Sequence, residues 1–374
     1  MLLSDLGAEV LKIDTPLERP LSDEDRRRVV FSPVNRNKRS LALNLKTAEG
    51  QAIFRRLAGG ADVIVEGFRP GVMQRLGADY DTIRRLNPRM VYCSLSGFGQ
   101  TGPYRDLPAH DLNYLALSGI LSLIGEPGRT PQIPLNLVAD YAGASLHGTL
   151  GIMVALFARE RTGQGQHVDV SYLDTSLSLL AATPNMRFFW CEDAVPARGA
   201  GFLSGTFPYY SVYKTSDGRY LTVACYERVF WERFCGAVER PDLARFAFHA
   251  DHVVRAPTAE EAAARADVQR IIAMKTRDEW RRTLNEAGSC VAPVYDPAEA
   301  LADPQVLARE MVISVPHATY GEVGQVGMPI KFSATPGVAT GPAPVPGEHT
   351  DAVLTELGYT PGEIAELRVR AVCQ

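Results

Sequence analysis

The chain has 374 residues, 46% of them apolar and 22% charged, enough for one large hydrophobic core or two smaller ones. A formal net charge of −4 excludes any general attraction to nucleic acid or to an anionic membrane, so an anionic ligand must be held by a local basic patch. Six cysteines (Cys93, Cys191, Cys225, Cys235, Cys290 and Cys373) stand far apart with no Cys-x-x-Cys pair, which argues against a disulfide framework or a zinc site.

In chain order, residues 2–8 read as a helix end closed by Gly7, followed by a short strand over 10–13. Residues 16–34 are polar and basic and carry Pro16, Pro20 and Pro33, so a loop is expected there. Residues 40–45 alternate as a strand, and Thr47 caps a helix to about Leu57. A strand over 61–66, a turn to Gly71, helices at 72–76 and 79–86 and a strand over 90–96 complete an alternation that implies a parallel α/β sheet. The stretch 113–124 reads as helical. A longer helix is expected from just after Asp140 to about Arg161, with Ala144, Gly148, Gly151 and Ala155 as a small-residue stripe for tight packing. A strand over 167–173 and a helix over 174–190 follow.

Composition changes near 195–208, which reads as a connector. A hairpin is expected over 209–224, with helices near 228–237, 258–274 and 277–286. Residues 316–346 are rich in Pro and Gly and read as extended, and a last short helix spans 350–357. The expected division is a large domain over 1–190 completed by 316–374, a linker at 191–208, and a small α+β domain over 209–315. No apolar run approaches membrane-spanning length and the N-terminus lacks signal-peptide features, so a cytoplasmic protein without membrane partners is expected.

Gly97-Phe98-Gly99-Gln100-Thr101-Gly102 fits the dinucleotide fingerprint, but Pro103 and Pro108 argue against the helix that must open there, and a glycine-rich turn is the better reading. His249-Ala250-Asp251-His252 has no third metal ligand in view and reads as solvated surface. His349 precedes Thr350 at a helix start, where Thr350 reads as the cap. The segment Ala109-His110-Asp111-Leu112-Asn113-Tyr114 gathers an imidazole, a carboxylate, an amide and a phenol on a loop entering an apolar helix, the kind of grouping that lines clefts. Asp140 is either the N-cap of the long helix or a carboxylate placed at its positive end, and sequence alone does not choose. Glu227 lies at a strand end, beside a helix start.

Taken together, several motifs resemble class III CoA-transferases. They are Asp5 to Ile13, Asn35-Arg36-Asn37-Lys38-Arg39-Ser40, Ala61 to Gly71, Ser96 to Tyr104, Arg161 to Val170, Cys290-Val291-Ala292-Pro293-Val294 and Gly347-Glu348-His349-Thr350. The resemblance covers almost the whole chain and is nearest to the α-methylacyl-CoA racemase branch, because Ala109 to Tyr114 carries His110 where the well-known transferases carry another residue. It implies an α/β fold: a Rossmann-like large domain built from both chain ends plus a small inserted domain. It also implies two interlocked subunits, with the active site between one subunit's large domain and the other's small domain. The substrate is an acyl-CoA thioester, with coenzyme A as part of that substrate and no metal or nicotinamide.

On this resemblance Asp140 matches the family's aspartate. That residue is an acid/base in racemases and, in transferases, a nucleophile that forms mixed anhydrides. His110 would remove the α-proton on one face and Asp140 return one on the other, with Glu227 orienting the imidazole. Backbone N–H groups near Asp140 would stabilise the enolate oxygen. Arg75 matches an arginine at the nucleotide end of coenzyme A. Phe68 would flank the adenine, Tyr114 would line the cofactor side, and Arg36, Lys38 and Arg39 would meet phosphates. The chain opens inside what is normally the first helix, so the family's opening strand and glycine/proline turn are not in it, and Thr15 stands where some racemases place an arginine. Three readings follow: an α-carbon racemase or epimerase, a CoA-transferase between carboxylic acids, and a non-catalytic CoA-binding subunit.

Overall fold

The computed structural model describes residues 1–184, 186 and 197–374, and these form a mixed α/β fold with parallel strand pairs. Ten strands make four sheets among them. β1 (Val10–Asp14) pairs in parallel with β2 (Lys38–Ala42), and β3 (Val63–Glu66), β4 (Val91–Ser96) and β5 (His167–Ser171) form a sheet in that order. β6 (Tyr210–Lys214), β7 (Tyr220–Ala224) and β8 (Val291–Pro293) are antiparallel, as is the hairpin of β9 (Val312–His317) and β10 (Gly321–Val326).

The chain separates into two compact units. The first comprises Met1–Ser96, Leu146–Val170 and Pro297–Gln374, and the second comprises Gly97–Ser145 and Ser171–Asp296. These boundaries differ from the expected 1–190, 209–315 and 316–374 division. The helix Asp111–Leu117 packs on the turn Leu137–Ser145 and on the helix Tyr172–Leu179, so these three segments stay together, and all lie in the second unit.

In the first unit, Leu41, Leu43, Ile53, Ile83, Tyr92 and Leu354 are fully buried in one core that uses both ends of the chain. The helix Ala48–Gly60 begins where the Thr47 hydroxyl accepts from the Gly50 N–H at 3.0 Å, as its sequence signal requires. The small-residue stripe of the helix Leu146–Thr162 is a packing device. A Cβ on Gly148 would lie 2.9 Å from Leu95, and one on Gly151 would lie 2.8 Å from Val168. At the last helix but one, His349 rather than Thr350 takes the cap position. The Ser40 N–H donates to His349 Nδ1, and the Ala42 N–H donates to Thr350 Oγ1.

Four further expectations are corrected. Asp23–Phe31 is a helix, not a loop: Ser22 accepts from the Asp25 N–H, and Asp23, Glu24 and Asp25 load the first turn with the negative charge that a helix start favours. His252 is buried, not solvated, with its ring nitrogens 2.9 Å from Tyr209 Oη and 2.9 Å from Glu261 Oε1. Residues 113–124 are broken by Gly119 at φ 85°. The run Leu137–Thr162 is long and apolar enough, with a mean hydropathy of 1.4 in its most apolar stretch, to pass as a membrane span by length and composition. Of the helix expected over 174–190, the structure has the helix Tyr172–Leu179 and a short turn over Leu180–Ala182, while residues 185 and 187–190, together with Cys191, lie outside the described residues.

In the second unit, Trp231, Phe234, Tyr209, Tyr213, Leu284 and Val268 fill a core between the β6–β8 sheet and its helices. Of the five described cysteines all are free thiols and four are buried. Burial pushes the Cys225 thiol up to about 12 and Cys93 to about 11, so both are poor nucleophiles at neutral pH.

Candidate active site

The second unit holds His110, Asp111, Tyr114, Asp140 and Glu227. After β4 the glycine-rich segment makes bends and turns, with Gly99 at φ 82° and Gly102 at φ 92°, and no helix opens until Asp111. The dinucleotide geometry is therefore missing from this segment. Gly97 serves a different purpose. A Cβ there would lie 2.6 Å from Tyr114 Oη and 3.0 Å from its ring.

Tyr114 was expected on the coenzyme side, but the structure buries it. Its ring meets Phe98 edge-on at 5.5 Å and Tyr172 at 5.2 Å, and its hydroxyl donates to the Ala109 carbonyl at 2.9 Å. It braces the backbone one residue before His110. Gly97→Ala is therefore expected to displace a ring that has no free space, costing about 1–3 kcal/mol. Chemical denaturation measures that cost, and an unchanged unfolding midpoint would disprove the close approach.

His110 is the exposed N-cap residue of the helix Asp111–Leu117, with its N–H donating to Asn113 Oδ1 at 3.0 Å. Asp140 does not cap a long helix as one reading supposed. It sits in the first turn of a nine-residue π-helical stretch, Leu137–Ser145, that runs into the α-helix Leu146–Thr162. Such wide turns are rare and concentrate at functional sites. Two residues before this stretch, Leu135 holds φ 56°, a left-handed conformation that is costly for a branched side chain.

The Asp140 carboxyl is half-buried. Burial, and next the negative charge of Asp111, push it above the ordinary aspartate range. A hydrogen bond from Asn136 Nδ2 at 3.5 Å and the charge of His110 act in the opposite direction. Asp111, the residue after His110, accepts from the Asp140 N–H at 3.0 Å, so the fold brings residues 110 and 140 together. The two side chains that the sequence singled out belong to one neighbourhood.

The residue the sequence left without a role is Asp111. It is buried, and its Oδ2 accepts from the N–H groups of both Ala139 and Asp140 at 3.0 Å each. This corrects the expectation that backbone donors beside Asp140 are free for an enolate oxygen, since two of them are occupied. A cue was present in the sequence, an acid next to the histidine at the head of an apolar helix, but its partners lie 28 and 29 residues away.

Glu227 is the exposed N-cap residue of the helix Arg228–Ala237, and its carboxylate makes no hydrogen bond or ion pair among the described residues. Within the chain it is not joined to His110.

The basic residues of the first unit have separate fates. Arg36 was expected to meet a phosphate but is fully buried. Its Nε and Nη2 bind Asp5 at 3.0 and 2.8 Å, and Nη1 donates to the Val326 carbonyl, which leaves no face for a ligand. Arg39 is engaged by Glu356 at 2.7 and 2.9 Å. Lys38 Nζ donates to Asn35 at 2.8 Å, and burial, followed by the charge of Lys12, lowers its pKa. Arg75, at the end of the helix Val72–Arg75, and Phe68, in the turn after β3, are both exposed. Among the described residues no cluster of three or more His, Cys, Asp or Glu side chains has the arrangement of a metal site.

Comparison with known proteins gives the family. A family model described as CoA-transferase family III matches residues 1–350. The chain is 35% identical over 373 residues to human alpha-methylacyl-CoA racemase, covering 98% of this chain and 91% of that protein. It is equally 35% identical, over 388 residues, to an acyl-CoA transferase of Fusarium pseudograminearum, covering 98% of this chain and 82% of that one. The crystal structure of a CAIB/BAIF family protein from Brucella suis superposes with a TM-score of 0.80 at 31% identity, covering 95% of this chain and 93% of that chain. The chain belongs to the CoA-transferase family III, whose members act on CoA thioesters as racemases or as CoA-transferases.

Proposed function

We propose that this protein is an acyl-CoA racemase or epimerase that inverts the α-carbon of a 2-methylacyl-CoA by two-base proton transfer between His110 and Asp140. The observation that carries the reading is that Asp111, the residue after His110, accepts from the Asp140 N–H at 3.0 Å, which brings residues 110 and 140 into one neighbourhood. A thioester carbonyl acidifies the α-hydrogen, and stereo-inversion needs one proton acceptor and one proton donor on opposite faces of that carbon. A carboxyl held above its ordinary range suits the donor role nearer neutral pH. In the first unit Arg75 and Phe68 are exposed, which leaves both open to the nucleotide end of a CoA thioester.

Incubating a chiral 2-methylacyl-CoA in deuterated water tests the reading. Inversion with deuterium entering the α-position supports it. A hydroxylamine-trappable acyl group on Asp140, with transfer of coenzyme A to an added acid, would replace it with the transferase reading. Such a carboxylate nucleophile has no need of an imidazole, although transferases stand among the relatives at the same identity as the racemase.

The working form in this proposal is a homodimer acting in the cytoplasm. Leu146, Leu150, Met153 and Phe157 expose an apolar row on the helix Leu146–Thr162, a spacing that supports burial against another copy. Glu227, exposed and unpaired among the described residues, would then orient the His110 ring of the second subunit. If so, a heterodimer purified with one His110→Ala and one Glu227→Ala subunit rebuilds one intact site and recovers about half of wild-type turnover, whereas each homodimer stays impaired. Turnover no higher than that of the homodimers would refute the shared site.

A further inference from the structure

We infer that Asp111 is the positioning residue for Asp140. Its buried carboxylate clamps the two consecutive N–H groups that open the π-helical turn and so fixes the carboxyl of residue 140 relative to His110. This rests on the acid/base reading of Asp140, but the clamp itself is geometric.

Oδ2 of Asp111 takes both N–H groups, of Ala139 and Asp140, at 3.0 Å. A single acceptor oxygen holding two adjacent donors fixes the orientation of the peptide planes on either side of Ala139, and charge-assisted bonds of this kind are the stronger sort. Ala139 has no exposed surface, and the turn is close-packed at Gly143, where an added Cβ would lie 3.0 Å from the Val138 carbonyl. Asp111 is also the residue directly after His110, so the same carboxylate couples the backbone of one proton-handling residue to that of the other.

The second oxygen is the unusual feature. Oδ1 is buried and has no hydrogen-bond partner. A carboxylate left half-satisfied is costly and would not be favoured by a fold that needed only a cap. Its negative charge also acts on Asp140, where it opposes ionisation. The other groups that act on the Asp140 carboxyl are Asn136 and His110. From the packed helix Tyr172–Leu179 the Tyr172 phenol faces it, and the pKa of that phenol is raised by burial and by Asp140. Asp111 therefore has two separable roles: Oδ2 places Asp140, and the charge tunes it.

The substitutions Asp111→Asn and Asp111→Ala separate these roles. Asparagine keeps an acceptor for both N–H groups and removes the charge, whereas alanine removes both. The carboxyl of Asp140 is followed in the whole protein by carbon-13 NMR of labelled aspartate, with its resonance assigned by difference against Asp140→Asn. This readout needs no turnover, so it stands even if the racemase reading fails.

The expected result is that Asp140 titrates at lower pH in Asp111→Asn than in wild type while the fold is kept. The acidic limb of the α-proton exchange profile moves down with it. Asp111→Ala loses roughly tenfold or more in kcat, with KM little changed and asparagine partly restoring the rate. An Asp140 titration identical in wild type and Asp111→Asn would overturn the charge role. Equal kcat in Asp111→Ala and Asp111→Asn would overturn the placement role. If alanine prevents folding, the Asp111→Asn titration still decides the charge role, and Asp111→Ser, whose shorter side chain cannot reach both N–H groups, replaces alanine in the test of placement.

Discussion

His110→Ala is expected to abolish inversion of a chiral 2-methylacyl-CoA while leaving α-proton exchange in deuterated water for one enantiomer only. With two single-proton groups on opposite faces, removing the imidazole silences one face. The remaining Asp140 can still withdraw a proton from its own side and return solvent deuterium to the same side. Asp140→Asn should show the mirror-image result, with exchange of the other enantiomer supported by His110. In each variant the turnover for inversion falls by about 10²–10⁴-fold, the usual contribution of a positioned acid or base. The measurement is mass-spectrometric deuterium content of each enantiomer after chiral separation. Exchange lost equally for both enantiomers in both variants would contradict opposed placement.

The same substitution has a stability consequence. The folded-state pKa of Asp140 is raised, so keeping it ionised costs folding free energy. That cost is fully present above the folded pKa and disappears as pH falls below the unfolded value. Asp140→Asn should therefore melt higher than wild type near pH 7, with the gap closing in acid. Such a gain on removing a site residue is the ordinary trade between activity and stability.

How far these properties could be read from residue order depends on the range of the interaction that creates them. β4 and the Thr47-capped helix are set by neighbouring residues, and the structure has them close to where the pattern put them. The Asp23–Phe31 helix was missed because its flanking prolines and high charge masked a valid cap at Ser22. The π-helical stretch leaves no trace in periodicity, since its wider turns blur the apolar pattern and it reads as a helix that starts later. His110 and Asp140 stood out by residue type and by motif. The role of Asp111 depends on N–H groups nearly thirty residues downstream, and nothing in its local pattern predicts them. The basic cluster Arg36–Arg39 gave the opposite error: equal charges look equally free in sequence, and only the fold reveals which guanidinium has a buried carboxylate waiting.

That pair gives the largest stability effect expected in the chain. Arg36 and Asp5 both have side chains with no exposed surface. They are joined through Nε and Nη2, and Asn37 Nδ2 donates to the same carboxylate at 2.9 Å. Asp5→Ala leaves a guanidinium that cannot lose its proton and cannot reach water, and breaking a buried pair from one side costs about 3–5 kcal/mol. Asp5→Ala combined with Arg36→Met removes both charges and keeps the stem volume, so most of that loss should return. Urea unfolding of the two variants beside wild type measures both quantities. The argument requires the double variant to be the more stable of the two. If the single variant loses less than about 1 kcal/mol, the range of exposed pairs, Arg36 must have access to solvent and becomes available to a phosphate after all.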